Sequence, residues 1–315
     1  MEEVLSVKGL QKTFKVGFWG RKVVACRDIS FSIRRGEVYG VVGPNGAGKS
    51  TTLKMLLGFV RPDGGTGHLM GLPLGSRQAR ARLGYLPELP SFPRYLTARE
   101  VLDFHARLAG VTGAGWESRR TTLLERVGLA RAANFRLSQY SKGMLQRCGL
   151  AVALCADPEL LVLDEPMSGL DPLGRHDVRT LIQEQKAQGK TVVFSSHVLS
   201  DVEALCDSMA IISQGAVYKA GSLAEMTGGT VRAVEIQLHN LGTDGAQALS
   251  ALGTLRSVGP AHLLDIKDVQ RVEEALGLAL KHGARVASVT PRTDKLEDIL
   301  LQAGAQQQVD GRISP

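Results

Sequence analysis

Gly43-Pro44-Asn45-Gly46-Ala47-Gly48-Lys49-Ser50-Thr51 follows the apolar run Val38-Tyr39-Gly40-Val41-Val42 and precedes Leu53, Leu56 and Leu57, which recur at helical spacing. The stretch matches the phosphate-loop pattern G-x-x-x-x-G-K-[ST], the Walker A motif. Its glycines let successive backbone N–H groups turn inward around phosphate oxygens, and the helix that follows contributes the positive end of its dipole. A polyphosphate ligand is therefore expected across Gly43, Pro44, Asn45, Gly46, Ala47, Gly48, Lys49, Ser50 and Thr51. Lys49 would reach the β- and γ-phosphates, and the Ser50 hydroxyl would ligate Mg²⁺. A dinucleotide fold is excluded, because the glycines are spaced G-x-x-G-x-G and such a site has no use for the lysine.

Outward from this loop the pattern predicts an α/β protein. Val4–Val7 and Ile29–Ile33 read as short strands, with Gly17-Phe18-Trp19-Gly20 as a loop between them. Gly84-Tyr85-Leu86-Pro87-Glu88 ends another strand, and Gly58 offers a helix C-cap. From Thr97 to Ala156 the periodicity becomes helical, which predicts an inserted helical subdomain over about 89–158. Leu160–Leu163 is continuously apolar, as in a strand buried on both faces of a parallel sheet, and Thr191–Phe194 and Met209–Ile212 repeat the form. Around Lys219 to Gly229 the composition loosens. Beyond it Val234–Leu238 and Arg285–Val289 read as strands, and Ala246–Leu252 and Val269–Leu280 as helices. The expected organisation is a nucleotide-binding domain over 1–220, a small C-terminal α+β domain over 221–305, and a disordered tail over 306–315.

The bulk properties narrow the setting. No stretch approaches the 18 or so apolar residues that span a bilayer, and Met1-Glu2-Glu3 does not open an export leader, so a cytosolic or membrane-peripheral chain is expected. Cys26, Cys148, Cys155 and Cys206 lack metal-ligand or redox spacing and read as reduced core thiols. Residues 221–315 carry 9 Lys and Arg against 11 Asp and Glu, so the net charge of +7 resides in the first 220 residues. Much of it is arginine between Arg77 and Arg136 without interleaved aromatics. That pattern favours a solvated or docking face over a nucleic-acid groove.

Asp164-Glu165 closes the hydrophobic strand as a Walker B pair does: Asp164 would hold Mg²⁺ and Glu165 would orient the attacking water. His197, after Ser195-Ser196 at the end of the strand Thr191–Phe194, is a candidate γ-phosphate contact.

At this point the residues resemble one family, the ATP-binding subunits of ABC transporters. Tyr140-Ser141-Lys142-Gly143-Met144-Leu145-Gln146-Arg147 is similar to that family's signature, Ser168-Gly169-Leu170-Asp171 to its D-loop, and Ser196-His197 to its switch histidine. The motifs stand in the family's order across residues 1 to about 220, implying a P-loop ABC cassette. The resemblance implies ATP and Mg²⁺ as ligands and a head-to-tail dimer in which Ser141 and Gly143, at the start of a helix over 144–154, complete the partner's site. It implies that Phe14 stacks on adenine and that Glu88 stands at the Q-loop, where a glutamine is usual. Lys142, Met144 and Glu88 resemble the branch that pairs with separate membrane permeases of the ABC-2 type. The implied protein hydrolyses ATP at the cytoplasmic face of the cell membrane, as a homodimer or with a paralogous ATPase, and powers export. Asp294–Leu301 resembles the closing helix of that branch. The rival reading is a soluble ABC-type ATPase working on ribosomes or DNA, but the chain has neither tandem cassettes nor a coiled-coil insertion. A GTPase is disfavoured because no N-K-x-D motif occurs.

Overall fold

The computed structural model describes residues 2–17, 20–227, 233–292 and Leu296. Phe18, Trp19, the Gly228-Gly229 stretch, the expected helix at Asp294–Leu301 (Leu296 apart) and the tail 306–315 lie outside the described residues.

The chain divides into two compact units, with the boundary along the sequence between Ser222 and Leu223. In the first, β1 (Glu3–Val16) and β2 (Arg21–Arg34) form a long antiparallel hairpin. Both strands run well past the expected Val4–Val7 and Ile29–Ile33. Cross-strand pairing carries the ladder through residues 11–15 and 21–24, where Phe14, Val23 and Val24 stand among polar residues without a regular alternation and pairing marks the strand. Next come β3 (Val38–Val42), α1 (Lys49–Leu56), β4 (Gly64–Leu69), β5 (Leu72–Pro73), α2 (Arg77–Arg80) and β6 (Leu83–Leu86). The helical insertion holds α3 (Ala98–Leu108), α4 (Gly115–Arg126) and α5 (Lys142–Leu154). Then follow β7 (Leu160–Leu163), α6 (Pro172–Ala187), β8 (Thr191–Ser196), α7 (Leu199–Leu205), β9 (Ser208–Ser213) and β10 (Ala216–Ser222). The region expected to loosen at Lys219 is thus strand as far as Ser222, paired with β9.

Ten strands join in the order β5-β4-β1-β2-β10-β9-β3-β8-β7-β6. Within it β9, β3, β8, β7 and β6 are neighbours and parallel. Every residue of β3, β7 and β8 is buried, as expected for strands covered on both faces. Because β3, β8, β7 and β6 are parallel and adjacent, their carboxyl ends stand in a row, the usual ligand edge of an open α/β sheet.

Capping chemistry sets the helix starts. Thr97 and Glu100 form a capping box on α3, Ser141 Oγ accepts from Met144 N at 3.2 Å on α5, and Asp171 Oδ1 accepts from Gly174 N at 2.9 Å on α6. The α5 helix begins at Lys142, two residues before the expected Met144, because Ser141 is its N-cap. In the basic stretch, Arg82, Arg119, Arg120 and Arg126 pair with Glu159, Asp157, Asp103 and Glu184 within the chain. All four cysteines are free and buried, and burial pushes the Cys148 thiol up to about 12.

The second unit opens on α8 (Leu223–Thr227) and continues as β11 (Ala233–His239), α9 (Thr243–Ser250), β12 (Thr254–Val258), β13 (Ala261–Ile266), α10 (Val272–Lys281) and β14 (Arg285–Arg292). Its antiparallel sheet has the order β12-β13-β11-β14. With the βαββαβ chain order this is the ferredoxin-like split βαβ arrangement. Val234, Ile236, Leu238, Leu264 and Ile266 pack with Leu249, Ala275 and Ala279 of the helices in its own core. Strands β12 and β13 were not expected from the sequence. The exposed Arg256, Ser257 and Val258 blur the alternation of β12.

Candidate functional site

Four segments leave the row of carboxyl ends: the phosphate loop after β3, His197 after β8, Asp164-Glu165 after β7, and Glu88 after β6. A cavity of about 390 Å³ opens there, its lining including Asn45, Lys49, Ser50, Thr51, Glu88 and Glu165. A larger hollow of about 540 Å³ lies between α2, β6, α3 and α5. The smaller cavity is the candidate site because its polar groups converge.

The loop needs glycine for two reasons. Gly48 has φ +107°, and a Cβ at Gly43 would lie 2.2 Å from the Ile212 carbonyl oxygen. Gly46, Gly48 and the residues from Lys49 to Thr51 face the cavity, whereas Gly43, Pro44 and Ala47 shape the turn behind it. Lys49 Nζ donates to Gly43 O at 2.8 Å and Pro44 O at 3.3 Å, which folds the ammonium back over the loop.

The acidic pair is held from both sides. Asp164 Oδ1 accepts from Ser50 Oγ at 3.0 Å and from Ser195 Oγ at 2.7 Å. Ser195 Oγ in turn accepts the Glu165 N–H at 2.8 Å, and that bond supports Glu165 at φ +48°, a left-handed conformation rare for a residue with a Cβ. The Glu165 carboxylate, buried like Asp164, lies between two partners. Lys49 Nζ stands 3.2 Å from Oε1 and His197 Nδ1 stands 2.9 Å from Oε2. The Lys49 contact is an ion pair without hydrogen-bond alignment, so Oε1 keeps an unused acceptor direction. Gln146 Nε2 lies 3.5 Å from Glu165 O and 3.4 Å from Pro166 O, which seats the start of α5 under the same turn.

Lys49, Ser50, Asp164, Glu165 and His197 thus come together, and Glu88 shares their cavity. Phe14 is not a lining residue. It stands directly opposite Val23, which lines the cavity, and directly opposed residues of an antiparallel pair share a face. Lys12 Nζ lies 5.6 Å from the Phe14 ring centroid. Ser141 and Gly143 do not line the cavity of their own chain. The tie that sequence reading missed is Ser195, which joins Asp164 to the Glu165 backbone. Its only signal was a hydroxyl residue at the end of an otherwise apolar strand.

A helix N-terminus, a glycine cradle, a lysine and a hydroxyl–carboxylate pair at the carboxyl edge of a parallel sheet define a P-loop nucleoside-triphosphate-binding protein. Residues 26–168 match the ABC transporter family model. An uncharacterised ABC transporter ATP-binding protein of Nostoc is 50% identical over 71% of this chain and 68% of its own length. The ABC transporter ATP-binding protein YxlF of Bacillus subtilis is 35% identical over 95% of this chain and 99% of its own length, so its match takes in the second unit as well. The Nod factor export ATP-binding protein I of Burkholderia orbicola is 41% identical over 65% of this chain and 67% of its own length. A solved ATP-binding subunit of an ABC transporter superposes with a TM-score of 0.63 at 34% identity, covering 71% of this chain and 91% of that one. The chain belongs to the ABC transporter ATP-binding proteins and is an ATPase of that family.

Proposed function

We propose that this subunit hydrolyses ATP to power export through a separate membrane permease of the ABC-2 type, as a homodimer or beside a paralogous ATPase, at the cytoplasmic face of the cell membrane. The observation that carries the catalytic part is the buried Glu165 carboxylate poised between Lys49 and His197, next to the Ser50–Asp164 pair. Export is supported by the Nod factor export relative. No described helix is long and apolar enough to cross a membrane.

The residues would divide the work as follows. Backbone N–H groups from Gly46 to Thr51 and the first turn of α1 cradle the phosphates. Lys49 releases Glu165 as it turns to the terminal phosphate. Glu165 then accepts a proton from the attacking water, and His197, bonded to Glu165, contacts the γ-phosphate. Mg²⁺ fits the hard oxygen donors present: Ser50 Oγ and Asp164 Oδ1 are 3.0 Å apart, and Glu88 lines the same cavity. Bound there, the ion neutralises phosphate charge. Among the described residues no group of three His, Cys, Asp or Glu side chains forms a metal cage. Phe14, on the face of Val23, would meet the base. Ser141 and Gly143, outside their own cavity, would close the partner's.

The test is to trap Glu165→Gln with ATP in native membranes, isolate it gently and identify its companions by mass spectrometry. A partner with several apolar spans of bilayer length is expected. Recovery with ribosomal proteins or DNA and no membrane protein would overturn the transporter reading in favour of a soluble ABC-type ATPase.

A further inference from the structure

His197 must hold its place against Glu165, yet its own surroundings give it little support: its side chain is 46% exposed and the segment after β8 is short. Strand β8 ends at Ser196, and α7 starts at Leu199 with Val198 as an N-cap that offers no side-chain bond. A seven-residue helix does not stand alone, so its position comes from its side-chain anchors. Val202 and Leu205 are apolar anchors buried in the core. The third is Asp201, a carboxylate 1% exposed.

Asp201 is a charge taken out of water, and both of its partners come from one helix. Arg179 donates to Oδ1 from Nε at 3.2 Å and makes a closer contact from its terminal nitrogen, while Arg175 donates to Oδ2 at 3.4 Å. Both arginines sit on α6, the helix that Asp171 caps directly after the Ser168-Gly169-Leu170-Asp171 turn. The Asp201 N–H donates to Val198 O at 3.2 Å, and Ser196 Oγ accepts from Val198 N at 3.0 Å, so the link runs without a break back to the residues flanking His197. Glu165, Ser168, Arg175, His197 and Asp201 line one small cavity. A pure stability role has no need of that placement. A buried ion pair is often no more stabilising than apolar packing, whereas it does fix two elements at one distance and angle.

We infer that Asp201 is a positioning residue for ATP hydrolysis: through Arg175 and Arg179 it ties the His197 segment to the helix after the Ser168–Asp171 turn, so that His197 meets Glu165 only when that turn is in place. The inference rests on the catalytic reading of Glu165 and His197. Asp201 touches neither nucleotide nor reacting atoms and acts through the place it gives the imidazole.

A double-mutant cycle on the full-length chain tests it, reading steady-state ATP hydrolysis with Mg²⁺ together with affinity for a non-hydrolysable ATP analogue. Asp201→Asn should lower kcat by between about ten- and a hundredfold, the order of loss that small misplacements of a catalytic group produce. Affinity for the analogue should stay within about twofold, because the phosphate loop is untouched. In a His197→Ala background Asp201→Asn should cost nothing further, since the group it positions is gone. Should Asp201→Asn not fold, Arg175→Gln leaves Arg179 on the carboxylate and carries the same cycle. Equal loss with and without His197 would overturn the inference and leave the site reading standing, with Asp201 a structural anchor. If His197→Ala turns over at the wild-type rate, the role given to His197 falls and the inference falls with it.

Discussion

Ser195→Ala is the substitution with the most specific expected cost. The hydroxyl is fully buried, donates to the Asp164 carboxylate at 2.7 Å and accepts the Glu165 N–H at 2.8 Å. Its removal forfeits a hydrogen bond to a charged group, about 1.5–3 kcal/mol, and leaves a buried amide hydrogen without an acceptor, about 1–3 kcal/mol more. Water does not substitute, because the void left by a single oxygen atom is too small to hold a water molecule. Glu165 also sits at φ +48°, and Ser195 is the side chain that its amide engages there. Together the losses come to roughly 3–5 kcal/mol. At about 2–4 °C per kcal/mol for a domain of this size, the first calorimetric transition should fall by about 10 °C. Differential scanning calorimetry of the wild type and Ser195→Ala, at one pH and without nucleotide, reads the difference. A fall of less than about 2 °C would refute the assignment of Ser195 as the tie beneath the acidic pair.

Three further outcomes follow from the same geometry. Lys49→Ala should weaken ATP binding by at least about a hundredfold, or about 2.7 kcal/mol, measured by calorimetric titration; retained affinity would remove the phosphate-loop assignment. In Gly84→Ala the new Cβ would lie 2.1 Å from the Ala153 carbonyl oxygen of α5, so β6 and α5 must separate, at a cost of about 3 kcal/mol or more in a denaturant titration. Arg82, with help from Arg35, holds the Glu159 carboxyl below its ordinary 4.5. Its contribution is therefore complete above that value and lost as the pH falls through the lowered one, so Glu159→Gln should lower stability slightly at neutral pH, leave it unchanged at pH values well below the lowered one, and so flatten the acid limb of the stability profile.

Local rules made the phosphate loop legible. The turn from Gly43 to Gly48 depends on residues that lack a Cβ and on an apolar strand before it, and both are written consecutively in the chain. Asp164-Glu165 was legible for a similar reason, as an acidic pair ending a run that has to be buried. The β1–β2 hairpin was only half legible, because residues 11–15 and 21–24 gain strand geometry from each other rather than from alternation. Ser195 and Asp201 escaped notice because a serine at a strand end and an aspartate in a short helix carry no local signal. Their partners are 31 residues away for Asp164 and 26 for Arg175.

Consecutive residues by themselves marked a glycine-rich strand–loop–helix, an acidic strand end and a second run of strand and helix patterns, because glycine geometry, binary patterning and capping act within a few residues. Tertiary structure alone decided that β3, β8, β7 and β6 lie side by side, and so that Lys49, His197, Glu165 and Glu88 leave one sheet edge together. It alone decided as well that the second unit orders its strands β12-β13-β11-β14. The physical reason is common to both: strand order is set by which apolar faces bury against one another across the whole chain, and no local window contains that choice.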